Sequence, residues 1–190
     1  MDREAAEAAV EAFLKALGYV PEGDLADTGR LVAQAWAEDL LDGATVDPVA
    51  LLSRGAVPSG DTDRGGLVVL RDLAVMTMCP HHLMPALGRG DVIYRPGERV
   101  AGFGAVVRAL RACTRRLTLQ ERAGAQLCEA LVEGLGAQGA LCRLRMTHSC
   151  LSARGVREAG AEIETLALAG TFRDEATARQ LAMDVLRGGQ

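Results

Sequence analysis

The chain has 190 residues, a formal charge of −4, 49% hydrophobic residues and 24% charged ones. That is the size and mix of one ordinary globular domain, and it excludes disordered, collagen-like and low-complexity chains. No apolar run reaches the roughly 18–20 residues of a membrane span. The opening Met-Asp-Arg-Glu lacks a basic-then-apolar leader, and five cysteines outside a small disulfide scaffold predict a reducing cytoplasm. The acidic balance and 3% aromatic content argue against a nucleic-acid-binding module.

In chain order, Val10, Phe13, Leu14 and Leu17 recur at helical spacing and predict a helix over 2–17, stopped by Gly18. A second helix is predicted from about 28 to 42, with Val32, Trp36 and Leu40 on one face. Asp47-Pro48 reads as a cap and first-turn proline for a short helix over 48–53. Residues 54–66 read as a loop. Extended segments are predicted at 67–70, 73–78 and 91–95, then a helix over 105–113. Thr118-x-x-Glu121 has the form of a capping box opening a longer helix to about Gly136. The clearest strand is 140–150, with Cys142, Leu144, Met146, His148 and Cys150 on one face and Arg143, Arg145 and Thr147 on the other. A last strand over 161–169 and a helix over 174–187, ending at Gly188-Gly189, complete an α+β chain. The division expected is an N-terminal helical segment, 1–65, and a catalytic unit, 66–190.

All three histidines fall into one expected site. In Cys79-Pro80-His81-His82, a cysteine and a histidine three apart can reach one ion across a tight turn, and thiolate with imidazole suits Zn²⁺. The period-2 rule places His148 and Cys150 on one strand face. A sheet setting strand 140–150 beside 73–79 would gather Cys79, His82 and Cys150 around one ion. Three protein ligands leave a fourth position for water, the arrangement of a catalytic zinc. His81 and His148 are then spare imidazoles suited to proton transfer. Cys113, Cys128 and Cys142 have no nearby histidine and read as packing residues.

Between the two halves of this site, residues 99–122 hold six arginines and one acid, Glu121. Arginine forks suit phosphate oxygens, although a solvated helix face explains several of them. Glu121 has two readings, a capping partner for Thr118 or an acceptor for the ring N–H and amino group of guanine.

These residues resemble the GTP cyclohydrolase I family, of the tunnelling fold. The resemblance spans roughly residues 10–187. It rests on ordered blocks: Asp27-Thr28-Gly29-Arg30, Arg71-Asp72, Cys79-Pro80-His81-His82, Val100-Ala101-Gly102-Phe103 with Arg108, Arg115 to Arg122, His148 to Val156, and Gly170-Thr171-Phe172. The resemblance implies N-terminal helices followed by an antiparallel sheet with helices packed on one face. It implies zinc on Cys79, His82 and Cys150, with His148 and His81 as proton-transfer groups. Gln120 and Glu121 would read the guanine, and Arg108, Arg154 and Arg30 would contact the triphosphate, Arg30 from a neighbouring subunit. The activity implied is hydrolytic opening of the guanine imidazole ring of GTP, with formate release and rearrangement to 7,8-dihydroneopterin triphosphate. This is the first step of folate and pterin biosynthesis. The implied assembly is a decamer with sites shared between subunits.

The chain departs from the family pattern at three points. Gly104-Ala105 stands where the family usually has Ser-Lys, Pro80 where it has Glu, and Gly29 where it has Pro. Lys15 is the only lysine. A related enzyme for a less phosphorylated guanine nucleotide or another purine therefore stands as the alternative, with a non-catalytic zinc-binding paralogue after it.

Overall fold

The computed structural model describes residues 1–60 and 66–188. The chain forms two compact units, Met1–Asp42 and Gly43–Gln190.

In the first unit, helix α1 (Arg3–Ala16) starts where the Asp2 side chain accepts a hydrogen bond from the Ala5 N–H. Helix α2 (Thr28–Ala35) packs on it. A Cβ at Gly29 would lie 3.1 Å from the Glu7 carbonyl oxygen, so the close approach of the two helices accounts for glycine at this position. The predicted second helix continues past 35 only as a π-helical turn over Trp36–Leu40, closed by Leu41 N–H donating to the Trp36 carbonyl.

The second unit opens with α3 (Pro48–Arg54), capped by the Asp47 side chain with Pro48 in the first turn, as predicted. The predicted loop over 54–66 contains a short strand, β1 (Ala56–Pro58). Positions 61–65 of that loop, and Gly189 of the predicted helix stop, lie outside the described residues.

The two extended segments at 67–78 are one strand, β2 (Val68–Met78), with an irregularity between Leu70 and Leu73. There Asp72 adopts a left-handed conformation and its N–H donates to the Asp91 carboxylate at 2.9 Å. Strand β3 (Pro85–Arg95) is twice the length predicted. Its first half, Pro-Ala-Leu-Gly-Arg-Gly, lacks strand propensity because β5 presses on it. A Cβ at Gly88 would lie 1.9 Å from the Arg145 carbonyl oxygen.

Strand β4 (Arg99–Ala101) pairs with β1. Helices α4 (Phe103–Thr114) and α5 (Gln120–Leu135) follow, then β5 (Gly139–His148), a single turn α6 (Ser149–Ser152), β6 (Ile163–Gly170), a short α7 (Thr171–Asp174) and α8 (Ala176–Arg187).

The main sheet is antiparallel, in the order β2-β3-β5-β6. One face carries Val75, Val92, Tyr94, Ala140, Cys142, Leu144 and Met146, covered by Val106, Ala109 and Leu110 of α4 and Leu127, Leu131 and Leu135 of α5. A smaller core on the opposite face joins Ile93 and Leu141 to Ala178, Ala182 and Leu186 of α8. With few aromatics, the core is closed by small and aliphatic side chains. Tyr94, fully buried, satisfies its hydroxyl by accepting from the Ala101 N–H. Beside the smaller core, Asp91 and Arg143 form a buried ion pair at 2.7 Å.

Candidate active site

Two local structures put the sulfur and nitrogen donors together. Residues 79–84 form the tight turn between β2 and β3, with Cys79 N–H donating to the Met84 carbonyl and Leu83 N–H donating to the Cys79 carbonyl, both at 2.9 Å. Across this turn the Cys79 sulfur lies 3.5 Å from His82 Nδ1. The expectation that strand 140–150 neighbours segment 73–79 is corrected by the sheet order, because β3 runs between them. Convergence comes from register instead. Thr77 pairs with Ala86, and Ala86 pairs with His148, so the ends of β2 and β5 meet in one row.

The strand itself stops at His148, so Cys150 does not share a strand face with it. Cys150 stands in the turn of α6, where Ala153 N–H donates to the Ser149 carbonyl. That turn folds the thiol back toward the β2–β3 turn. The ligand atoms of Cys79, His82 and Cys150 lie within 4.8 Å of one another, and this is the one such cluster of three among the described residues.

The donor set fits zinc. Bond lengths of about 2.3 Å to sulfur and 2.0–2.1 Å to nitrogen at tetrahedral angles imply a sulfur–nitrogen separation of roughly 3.5 Å, the Cys79–His82 value observed. Burial, together with the hydrogen bond and charge of Cys79, pushes the Cys150 thiol up.

The site opens on a cavity of about 300 Å³ lined by Cys79, His81, His82, Gln120, Glu121, His148 and Cys150, with Thr77, Leu119, Leu151 and Ile163 among its other walls. The capping box does not form. Leu119, not Thr118, caps α5 and makes no side-chain bond. Thr118 is tied to the end of β2 by its N–H donating to the Met78 carbonyl. This leaves the exposed Glu121 carboxylate at the cavity and clear of Thr118. Burial holds the His148 imidazole below its usual pKa, while the Glu121 charge acts in the opposite direction.

Gln120 is 3% exposed. Its amide nitrogen donates to the Leu144 and Ile163 carbonyls and to the Thr165 hydroxyl, and its oxygen faces His148 Nε2 at 2.8 Å. Thr165 was missed in the sequence. It lies 45 residues from Gln120, and nothing local marks it.

Arg108 and Arg154 are exposed and do not line this cavity. Arg154 nevertheless lies near enough for its charge to favour the Cys150 thiolate. Arg30 stands on α2 in the first unit, paired with Asp27 at 3.2 Å. Ala105 is 3% exposed and packs on α3's end, where a Cβ at Gly55 would lie 2.8 Å from its own.

A sheet-end pocket with a two-thiol, one-imidazole donor set, two further imidazoles and a carboxylate has the parts of a metal-assisted hydrolase. The comparisons with known proteins give this class its family. The GTP cyclohydrolase I family model matches residues 6–187. Curated relatives named GTP cyclohydrolase 1 include that of Mycobacterium ulcerans, 36% identical over 97% of this chain and 91% of its own. The protein of Halalkalibacterium halodurans is 35% identical over 99% and 98%, and that of Bacillus subtilis 34% over 98% and 97%. Among solved structures, an archaeosine synthase QueF-Like in the apo form is similar at 18% identity and a TM-score of 0.42, over 55% of this chain and 93% of that one. The chain belongs to the GTP cyclohydrolase I family and is a hydrolase. None of its described helices is long and apolar enough to cross a membrane.

Proposed function

We propose that this chain is a zinc-dependent enzyme that opens the guanine imidazole ring of GTP by hydrolysis, releases formate and yields 7,8-dihydroneopterin triphosphate, the entry to folate and pterins. The observation that carries this reading is the convergence of Cys79, His82 and Cys150 in a cavity that also holds Glu121 and two further histidines. Cys79, His82 and Cys150 would hold the zinc, which when bound supplies a Lewis acid that makes water nucleophilic at neutral pH.

The remaining chemistry belongs to the chain. Glu121 accepts hydrogen bonds from the guanine ring N–H and amino group, a donor pair that adenine lacks. Gln120, expected beside it as a second reader, supports the wall of the same pocket. His148 delivers a proton to ring nitrogen N7, and His81 relays protons during ring opening and the later rearrangement. Arg108, Arg154 and Arg30 take the triphosphate, with Arg30 reaching in from a neighbouring copy.

A homo-oligomer, a decamer in the family resemblance, fits a four-stranded sheet whose edge strands β2 and β6 are 11 and 8 residues long. Such open edges call for a partner strand. Five free cysteines suit a cytoplasmic location. Neither nucleic acid nor membrane is a proposed partner.

A second reading is favoured by one observation. Position 105, where the family has lysine, is a buried alanine, and the single lysine, Lys15, lies on α1. A lost charge-assisted contact costs about 1.5–3 kcal/mol, so a substrate with fewer phosphates would lose less here.

The test offers zinc-loaded protein GTP, GDP, GMP and guanosine while formate release and pterin fluorescence are followed. Preferred turnover of GTP supports the first reading, and preference for a less phosphorylated member supports the second. Silence on every substrate leaves a non-catalytic zinc protein.

A further inference from the structure

The geometry points to Gln120 as a positioning residue for His148: its amide, locked between β5 and β6, holds the imidazole in the Nε2–H tautomer. This rests on the proposed role of His148 as a proton donor in the same site.

The lock follows from the chemistry of the amide's neighbours. Leu144 and Thr165 are directly paired across β5 and β6. The Gln120 amide nitrogen reaches the Leu144 carbonyl at 2.9 Å, the Ile163 carbonyl at 3.0 Å and the Thr165 hydroxyl at 3.1 Å. Both backbone partners are pure acceptors, so only the NH₂ end of the amide can face them. A flipped amide would set its oxygen against two carbonyl oxygens inside a residue that is 3% exposed, an acceptor-to-acceptor contact with no hydrogen between.

With the nitrogen fixed toward the sheet, the oxygen must face His148 Nε2, which it does at 2.8 Å. An amide oxygen only accepts, so Nε2 carries the hydrogen. The neutral ring is left with Nδ1 as its one basic nitrogen, the atom that takes up a proton from solvent and passes it to the substrate while Nε2–H stays on the amide. A freely rotating imidazole would divide between two tautomers and several orientations. Here the sheet itself chooses one, through a side chain that need not touch the reacting atoms. The same lock accounts for a buried polar side chain at the first position of α5, beside Leu119 and Ile163.

The test uses the full chain labelled with ¹⁵N at histidine, observed by solid-state NMR at about pH 8, above the ordinary histidine range. Only three histidines contribute, and a His148→Phe sample identifies the signals of position 148. The wild type is expected to show a protonated Nε2 and an unprotonated Nδ1. Gln120→Met keeps the length but removes the acceptor, so the two tautomers should mix. The expected loss in kcat is about 10–100-fold, as for removed orienting partners, with KM for GTP within about threefold.

An Nδ1–H wild type, or unchanged tautomer populations in Gln120→Met, overturns the inference. So does a KM that rises with kcat intact, which would make Gln120 a substrate contact. The nitrogen spectrum needs no turnover, so an enzyme silent on GTP removes the proposed activity while the tautomer is still read.

Discussion

Sulfur occupies two regions of this molecule, with opposite results. Cys113, Cys128 and Cys142 are fully buried between the sheet and helices α4 and α5. Burial pushes the Cys113 thiol up to about 12 and raises those of Cys128 and Cys142 as well. Cys128 donates weakly to the Ala167 carbonyl, and all three act as small apolar side chains. Cys79 and Cys150 are half-buried where β2 and β5 end, beside an imidazole nitrogen. The sheet's interior makes thiols inert, and its rim gathers them into a donor cluster with an imidazole. What separates the two sets is access and a nitrogen partner, not residue type.

The sharpest way to break this comparison is at the rim. Cys150→Ser should take zinc, measured by elemental analysis of purified protein, from stoichiometric to near absent, with turnover lost alongside. A fully loaded Cys150→Ser protein would mean that the three-donor cluster is not the metal site.

The next effect probes burial with the opposite outcome. Asp91 is as buried as the core thiols, yet it stays charged. Burial pushes its pKa up, but the Asp72 N–H and the guanidinium groups of Arg143 and Arg145 outweigh it, and the carboxyl ends below its usual value. Asp91→Asn leaves the Arg143 charge without its partner and should cost about 3–5 kcal/mol in urea unfolding near neutral pH. Because the folded pKa is lowered, this stabilisation is complete above the unfolded value of about 3.9. It fades as pH falls through the folded value. The gap between wild type and variant should therefore narrow in acid. A gap that widens in acid would refute the assignment of a charged Asp91.

Much of this was legible in the sequence, and what was not has identifiable causes. Helices with strong periodicity and local caps, such as α1 and α3, read correctly because their signals lie within a few residues. Donor chemistry alone points to Cys79, His82 and Cys150, but the route by which they meet is not local. A period of two does not reveal that β5 stops at His148, and the insertion of β3 is a long-range fact. The first half of β3 was invisible because Gly88 answers to the Arg145 carbonyl of another strand. Thr118-x-x-Glu121 matched a capping pattern, yet the tie of Thr118 to Met78 shifted the helix start and left the carboxylate clear of it. Local rules fail here where a distant strand supplies the competing hydrogen bond.

The smallest effect tests the interior thiols. Cys142→Ala removes one fully buried sulfur, 3.9 Å from where a Cβ at Gly124 of α5 would lie. It should cost about 1 kcal/mol, the centre of the range for single substitutions, and leave zinc content and kcat unchanged. Alkylation gives the matching kinetic view. A thiol must ionise and meet solvent to react, and burial denies Cys113, Cys128 and Cys142 both. Metal-stripped native protein should therefore be modified at Cys79 and Cys150 alone, and at all five cysteines once unfolded in urea. Native labelling of Cys142 as fast as Cys150, resolved by peptide mass spectrometry, would erase the distinction between interior and rim. In that case the reactivity of these thiols could not be set by their place in the sheet, and the metal assignment would have to stand on donor geometry alone.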